Sequence, residues 1–577
     1  MTVATGPQPA HTPLPGTAAR PARFALVEQL LADGVEYVFG NPGTVEQGLL
    51  DSLEQYPQLH YINTLQETVA VAIADGYARA TRRPTIVQLH SGVGLGNGIG
   101  MLYQAMRGHA PLVVLAGEAG IRFDAMDSQM AADLVAMAKP VTKWATRVVD
   151  SQSVLRVLRR AIKIAATPPM GPTFVCLPAD VLDALSSEEA VPSHFPSTRV
   201  APGREWLDQA ALVLARASRP LIIMGDGIAH SEAQAELVQV AELLGAEVWG
   251  ADHSEVNIPF DHPLYRGSLG HMFGSDSRRA VQAADAVLIV GTYVFPEVFP
   301  LLERPFGEAT RIVHIDLNAY EIAKNFLVDL SVVADPKATL AALGGALESV
   351  MQANDSRTAR ERISRAGAAR QEANENRLLV DRTECDELPL RPARLLEELA
   401  RQLPPDVLVF DEALTVSPVV TRYLVPTEPD SYFQTRGGSL GVGIPGALGL
   451  KLAHPQKTVI GFSGDGGSMY TIQALWTAAH HGIGAKFVIC NNGSYMLLKL
   501  NILQYWREQV GVEAHEFPSS FDLHSPSIDF AALAGSLGVK GERVDEPKQV
   551  TGAVERMLAH DGPYLIDMVI GSEVPQP

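Results

Sequence analysis

The stretch VIGFSGDGGSMYTIQALWTAAHHGIGAKFVICNNGSY, residues 459–495, decides the fold. Its apolar start, Thr458 to Phe462, suits a parallel strand buried on both faces, and it passes at once into Gly464, Asp465, Gly466, Gly467 and Ser468. Beyond that turn Ile472, Leu475, Trp476 and Ala479 recur at helical spacing, and a second apolar strand, Lys486 to Cys490, stops at Asn491, Asn492 and Gly493. Asp465 and Asn492 therefore both lie where parallel strands end, so a carboxylate and an amide oxygen meet on one side of a sheet. Two hard oxygens suit magnesium or calcium. Glycines that let backbone approach closely, and a helix offering free N–H groups, suit a diphosphate bridged by that metal.

Working outward, the unit around this stretch runs over residues 391–577, with a strand Val407 to Phe410, a Gly-rich lead-in Gly437 to Gly449 and a closing strand Tyr564 to Ile570. Residues 23–190 alternate helix and strand in the same way. There Ala25 to Asp33 reads as a helix, Tyr37 to Phe39 and Leu59 to Asn63 as strands, Val69 to Thr81 as a helix of small residues, and Thr85 to Leu89 as a strand. His90-Ser91-Gly92 then leads into a helix near Asn97 to Met106, followed by a strand at Leu112 to Ala116. Between the two units, residues 200–347 give a third α/β pattern with strands at Leu221–Met224, Glu247–Trp249, Ala286–Val290 and Arg311–Ile315. That pattern is Rossmann-like. No G-x-G-x-x-G follows its strands, however, so a structural spacer is expected there and not a dinucleotide site. Residues 348–390 read as a polar helical linker followed by loop, and residues 1–22, rich in Pro, Ala, Thr and Gly, as a disordered tail. The fold class expected is α/β, with three doubly wound parallel-sheet domains.

At 577 residues the chain is too long for one core and fits about three domains. A net charge of −19 with no basic block argues against a nucleic-acid partner. Cys176, Cys385 and Cys490 are scattered and lack metal-ligand spacing, which fits free thiols in a reducing compartment. No apolar run reaches the length of a membrane span and the N-terminus has no signal-like segment, so a cytoplasmic protein without membrane partners is expected.

The GDG followed about two dozen residues later by NN resembles the cofactor signature of the thiamine-diphosphate-dependent enzymes, and within that family the chain looks most like the benzoylformate decarboxylases, from about Phe24 to the C-terminus. The same tripeptide in LIIMGDGIAH, residues 221–230, has no later NN and reads as an ordinary strand-to-helix turn. The resemblance implies thiamine diphosphate held through magnesium, with calcium as an alternative and FAD not expected. By the family pattern Asp465, Asn492 and the main-chain oxygen of Ser494 are the metal ligands, and Gly466, Gly467, Ser468, Tyr495, Gly438 and Thr415 border the cofactor. Leu440 resembles the bulky residue that props the cofactor into a bent shape, and equally reads as a packed leucine.

Glu67, in TLQETVAVAIADGYAR, stands where the family places the glutamate that bonds the pyrimidine ring. A site at a strand end beside small apolar side chains would raise its carboxyl pKa, while by position alone it reads as a helix-start carboxylate. His90 matches the first active-site histidine of the benzoylformate decarboxylases, and Thr44 the serine that holds the substrate carboxylate; Thr44 also reads as a helix cap. In related enzymes the glutamate and the diphosphate site come from different subunits, which implies a homo-oligomer, at least a dimer, with a tetramer expected. Two departures stand out. The loop GTYVFPEVFP lacks the second active-site histidine and has Val298 or a neighbour in its place, and Met496 and Leu497 replace small residues of the family. The activity implied is non-oxidative decarboxylation of a benzoylformate-like 2-oxo acid to an aldehyde through an enamine, with carboligation to hydroxyketones or hydroxy acids as the alternative.

Overall fold

The computed structural model describes residues 19–270, 272–513 and 515–574. Most of the expected tail, up to residue 18, lies outside the described residues; within it Arg20–Pro21 form strand β1 and Ala22 begins the helix Ala22–Ala32. The first sheet contains β2 (Tyr37–Gly40), β3 (His60–Asn63), β4 (Thr85–Leu89), β5 (Leu112–Glu118), β6 (Trp144–Arg147) and β7 (Thr173–Pro178), in the spatial order 3-2-4-5-7-6. All its pairings are parallel. β8 (Leu185–Ser186) then returns to pair antiparallel with β1.

The middle sheet is built from β9 (Pro220–Met224), β10 (Glu247–Gly250), β11 (Tyr265–Ser268), β12 (Ala286–Val290), β13 (Arg311–Asp316) and β14 (Leu330–Val333), ordered 11-10-9-12-13-14. That is the Rossmann order, with its switch point between β9 and β12. The crevice there is closed: a Cβ on Gly227 would fall 2.4 Å from Gly291 Cα, and the Gly227 N–H donates to the Gly291 carbonyl at 3.0 Å.

The third sheet takes β15 (Leu408–Glu412), β16 (Tyr432–Gln434), β17 (Val459–Gly464), β18 (Lys486–Asn491), β19 (Lys540–Val544) and β20 (Tyr564–Val569), ordered 16-15-17-18-20-19 and parallel throughout. Counted within each unit, the first and third sheets have the same strand order. A ligand crevice is therefore expected at equivalent places, between β2 and β4 and between β15 and β17.

Several elements differ from the sequence reading. Ser91–Arg107 is helical from its first residue, because glycines such as Gly94 and Gly98 admit Glu67 and Leu89 against its backbone. The Gly-rich lead-in divides into a loop, 436–442, and the helix Gly443–Ala453. After β17 comes one helical turn, Asp465–Ser468; of the apolar positions beyond it Ile472 lies in a turn, and Leu475, Trp476 and Ala479 belong to a separate helix, Ala474–His480. The linker helix extends from Ala353 to Thr383.

The first and third units share one core. The helix Glu67–Thr81, buried along most of its length, lies against Gly443–Ala453, and the apolar cluster runs from Val71, Ile73 and Ala74 through Ala447 and Leu448 to Phe410. Gly76 and Gly449 make this approach possible: a Cβ on either would fall within 2.3 Å of the facing backbone. All three units meet at Arg79, whose guanidinium donates to the Gln434 carbonyl at 3.0 Å and to Ser254 Oγ at 2.8 Å and pairs with Glu255 at 3.4 Å.

Candidate active site

The carboxyl ends of β2 and β4 bring together the segments Asn41–Glu46 and His90–Ser91. The two touch. A Cβ on Gly43 would fall 1.9 Å from His90 Nδ1, so only glycine fits between them. His90 Nδ1 lies 2.8 Å from Glu46 Oε2, and Glu46 Oε1 accepts the Gly117 N–H at 2.8 Å. Glu46 is buried, which raises its pKa, and the hydrogen bond and charge of His90 with the N–H groups of Gly117 and Ser91 offset part of that rise. The dyad fixes the imidazole ring. Ser91 follows in the left-handed region at φ 52°, a conformation that non-glycine residues hold only where their surroundings enforce it.

Thr44 is exposed and is the first residue of a 3₁₀ turn, Thr44–Glu46. Gly43 occupies the N-cap position and no side chain caps either this turn or the helix Gln47–Leu53, so the capping role does not hold and the hydroxyl is left for a ligand.

Glu67 is the first residue of its helix and not the end of a strand; the preceding Gln66 is the cap, accepting the Thr68 N–H. Its carboxylate, 5% exposed, accepts from the amides of Asn41 at 3.2 Å and Asn97 at 2.9 Å. Leu65, Val93 and Asn97 around it are exposed.

In the third unit, β17 and β18 end at Gly464 and Asn491, which brings Asp465 and residues 492–494 together. Asp465 is 5% exposed. Burial raises its carboxyl pKa, partly offset by backbone N–H groups of Gly466, Gly493, Ser494 and Asn492. Oδ1 accepts the Gly466 N–H at 2.7 Å, while the buried Oδ2 has no partner among the described residues. Asn492 Oδ1 accepts the Ser494 N–H at 2.9 Å, folding this loop back toward Asp465. A buried carboxylate oxygen without a partner, beside an amide and a main-chain carbonyl, is a donor set suited to a hard divalent cation.

Gly466 lies under the Tyr495 ring, where a Cβ would approach to 2.5 Å, whereas a side chain at Gly464 or Gly438 would meet nothing within 4 Å. Space for a ligand is therefore open on that side. The Ser468 hydroxyl is engaged within the turn, donating to the Asp465 carbonyl at 2.8 Å. Thr415 sits half-buried in the 3₁₀ turn after β15, and Leu440, half-buried, is carried by the loop whose Gly437, Gly438 and Gly441 have positive φ.

The sequence reading missed four polar residues. Asn41, Glu46 and Asn97 look like solvated turn or helix-surface residues in one dimension. Glu412 had a signal, an acid closing the apolar run LVFDE; it is 1% exposed and pushed up to about 7 by burial, against N–H groups of Gly443, Gly441 and Val442 and the Ser463 hydroxyl. In the middle unit Val298 is exposed on the loop after β12, and the adjacent Glu297 is buried with its carboxylate on Ser277 Oγ. Leu497 is half-buried and Met496 buried at the start of the helix Met496–Tyr505.

Comparison with known proteins agrees with this architecture. Three family profiles match in order: the N-terminal TPP binding domain of thiamine pyrophosphate enzymes over residues 21–137, the central domain over 207–343 and the C-terminal TPP binding domain over 415–568. Benzoylformate decarboxylase of Pseudomonas aeruginosa is 32% identical, covering 94% of this chain and 98% of that protein. A probable acetolactate synthase large subunit of Methanocaldococcus jannaschii is 28% identical over 95% of this chain and 91% of its own. The crystal structure of benzoylformate decarboxylase from Polynucleobacter necessarius superposes with a TM-score of 0.84 at 26% identity, covering 97% of this chain and all of that one. With its cofactor-domain profiles matched in order and a benzoylformate decarboxylase 32% identical over nearly its whole length, the chain belongs to the thiamine-diphosphate-dependent enzymes, in the group that includes decarboxylases, acetolactate synthases and carboligases.

Proposed function

We propose that this protein is a thiamine-diphosphate-dependent decarboxylase that converts a benzoylformate-like 2-oxo acid to an aldehyde without oxidation. The observation that carries this reading is the half-buried His90 held by buried Glu46 and set against the Thr44 turn, an acid–base group beside an exposed hydroxyl that can receive the substrate carboxylate. The likeness to benzoylformate decarboxylase over nearly the whole chain supports it.

When bound, thiamine diphosphate supplies the thiazolium that accepts the electron pair left as carbon dioxide departs. The chain's own residues bind and orient. Asp465, Asn492 and the Ser494 carbonyl would hold magnesium, or calcium, and Gly466, Gly467, Ser468, Thr415, Gly438 and Tyr495 would border the diphosphate, Ser468 through its backbone. Leu440 would prop the bent cofactor. Glu67, fixed by Asn41 and Asn97, would share a proton with the pyrimidine ring. Thr44 would hold the substrate carboxylate, and His90, oriented by Glu46, would exchange protons with the reacting oxygen. A cavity of about 400 Å³ adjoins Val45 and Ser91, lined by Phe123, Met130 and Leu134 with Glu118 and Arg147 at a polar wall, and offers room for the substrate side chain.

Exposed apolar residues flank both half-sites: Leu65 and Val93 beside Glu67 and His90, Met469 and Tyr470 beside Asp465. Such flanks suit coverage by a second copy, each subunit giving one half of the site, in a dimer or a tetramer built from it. The free cysteines suit the cytoplasm.

A second reading is favoured by one observation: Val298, and no histidine, stands on the loop after β12. Without that proton donor, protonation of the carbon that loses carbon dioxide would be slower, and addition of that carbon to a second carbonyl would compete. Incubation of the purified chain with thiamine diphosphate, magnesium and benzoylformate, phenylpyruvate or pyruvate separates the two. Carbon dioxide with stoichiometric aldehyde supports the decarboxylase. Hydroxyketone, or carbon dioxide only when an acceptor aldehyde is present, transfers the assignment to a carboligase.

A further inference from the structure

The loop that carries Leu440 is built to be mobile and held so that it is not. Gly437, Gly438 and Gly441 have φ of 66°, 74° and 94°, so three of its residues lack the steric limits that would fix their backbone. What fixes the loop comes from outside it, and at both ends.

On the C-terminal side the two oxygens of Glu412 accept the Gly441 N–H at 2.5 Å and the Gly443 N–H at 2.7 Å. The Thr471 hydroxyl donates to the Gly441 carbonyl at 2.5 Å, and the Thr435 hydroxyl to the Ser439 carbonyl at 3.3 Å. Leu440 is therefore bracketed by anchored neighbours. On the N-terminal side, Arg436 donates twice to the Arg107 carbonyl at 3.2 Å and lies 3.1 Å from Asp252 and 3.6 Å from Asp226, both of the middle unit.

Glu412 is an unusual choice for stability alone. Its partners are N–H groups and a hydroxyl, with no cation among them, and a carboxylate buried in that way is costly where an apolar side chain would pack. The middle unit has a matching oddity. Its Rossmann crevice is closed by Gly227 and Gly291, yet Asp226 at the same turn reaches out to Arg436.

We propose that Glu412 and Arg436 are positioning residues that clamp the Leu440 loop from its two ends, so that the middle unit acts on the reaction through Arg436. This rests on the reading of Leu440 as the cofactor's prop.

The test is a mutant cycle on the holoenzyme. Leu440→Ala should lower kcat with little change in KM for the 2-oxo acid. Glu412→Gln and Arg436→Lys should each lower kcat about tenfold with KM kept, since a small misplacement of a positioning group is enough for that. In the Leu440→Ala background each should add less than about twofold, because the loop then has nothing to position. Thr471→Val reads the same anchor without a buried charge and should show the same non-additivity, which keeps the test usable if Glu412→Gln does not fold. Full kcat in Glu412→Gln or in Thr471→Val, or losses that multiply undiminished in the Leu440→Ala background, would overturn the clamp while leaving the prop intact. Full activity of Leu440→Ala would overturn the prop, and the clamp with it.

Discussion

Two Gly-Asp-Gly turns follow apolar strands in this chain, and their aspartates have opposite surroundings. Asp226 accepts N–H groups from Ser254 and Glu255, the Asn257 amide and the Ser254 hydroxyl; burial works against its ionised form, but Arg436 beside it draws the pKa down to about 2. Asp465 keeps a buried oxygen without a partner. The tripeptide alone does not distinguish a satisfied structural carboxylate from one waiting for a cation; the Asn-Asn pair does, because it supplies the second donor. Asp465→Ala should therefore lose magnesium and cofactor affinity together by at least about a hundredfold, as calorimetric titration would read, and unchanged binding would misplace the diphosphate. Glu67→Gln should abolish turnover with cofactor affinity within about threefold of the native protein, since the amide keeps the shape and loses only the shareable proton. Glu46→Gln should lower kcat about tenfold with an unchanged melting temperature, and Glu46→Ala should lower both, because it leaves the Gly117 N–H buried and unpaired. The sequence offered Glu67, His90 and Thr44 through motifs, but the groups that orient them, Asn41, Glu46 and Asn97, lie in polar segments where nothing in one dimension separates a tethering amide from a solvated one.

Among elements, most buried central strands were legible, although β7 was missed, and of the sheet edges only β3 was read. β4, β9, β12, β15 and β17 are buried on nearly every residue and read as continuous apolar runs. β6, β14 and β19 are short and largely half-exposed or exposed, and their segments Trp144–Arg147, Leu330–Val333 and Lys540–Val544 lack a continuous apolar run and gave no comparable signal. Glycine misled in a systematic way. The runs 91–96 and 443–449 look like loops by composition, yet both are helical, because what the glycines provide is close approach and not flexibility. That makes a prediction. In Gly76→Val the new side chain would meet the Gly446 carbonyl, so the two helices must separate, and the melting temperature should fall by an amount equivalent to roughly 2–4 kcal/mol. Substitution to valine at Gly100, where a Cβ meets nothing, is the control and should change little.

For the molecule as a whole, the junction of the three units is charged and buried. Asp75 within it is fully buried, neither oxygen within hydrogen-bond distance of a partner among the described residues, and burial pushes its carboxyl up to about 6, Arg79 at 3.7 Å offsetting part of the rise and Glu255 adding to it. The unfolded chain releases that proton first, near the ordinary value, so stability falls as pH rises through the window up to about 6 and is level above it. Asp75→Asn lacks this titration. Relative to the native protein it should gain on the order of 1–2 kcal/mol between pH 5 and pH 7, read as a widening difference in melting temperature, and a constant difference would refute the assignment. The first and third sheets share one strand order although no sequence repeat betrays it.

Where Gly76 meets Gly446 and Gly449 meets Ile73, backbone rests on backbone with no side chain between to change rotamer. Such a seam has no second packing to shift into, so it can neither slide nor serve as a hinge. Admission of substrate and release of product would then fall to segments outside the seam, such as residues 121–133, most of which line the cavity beside Ser91.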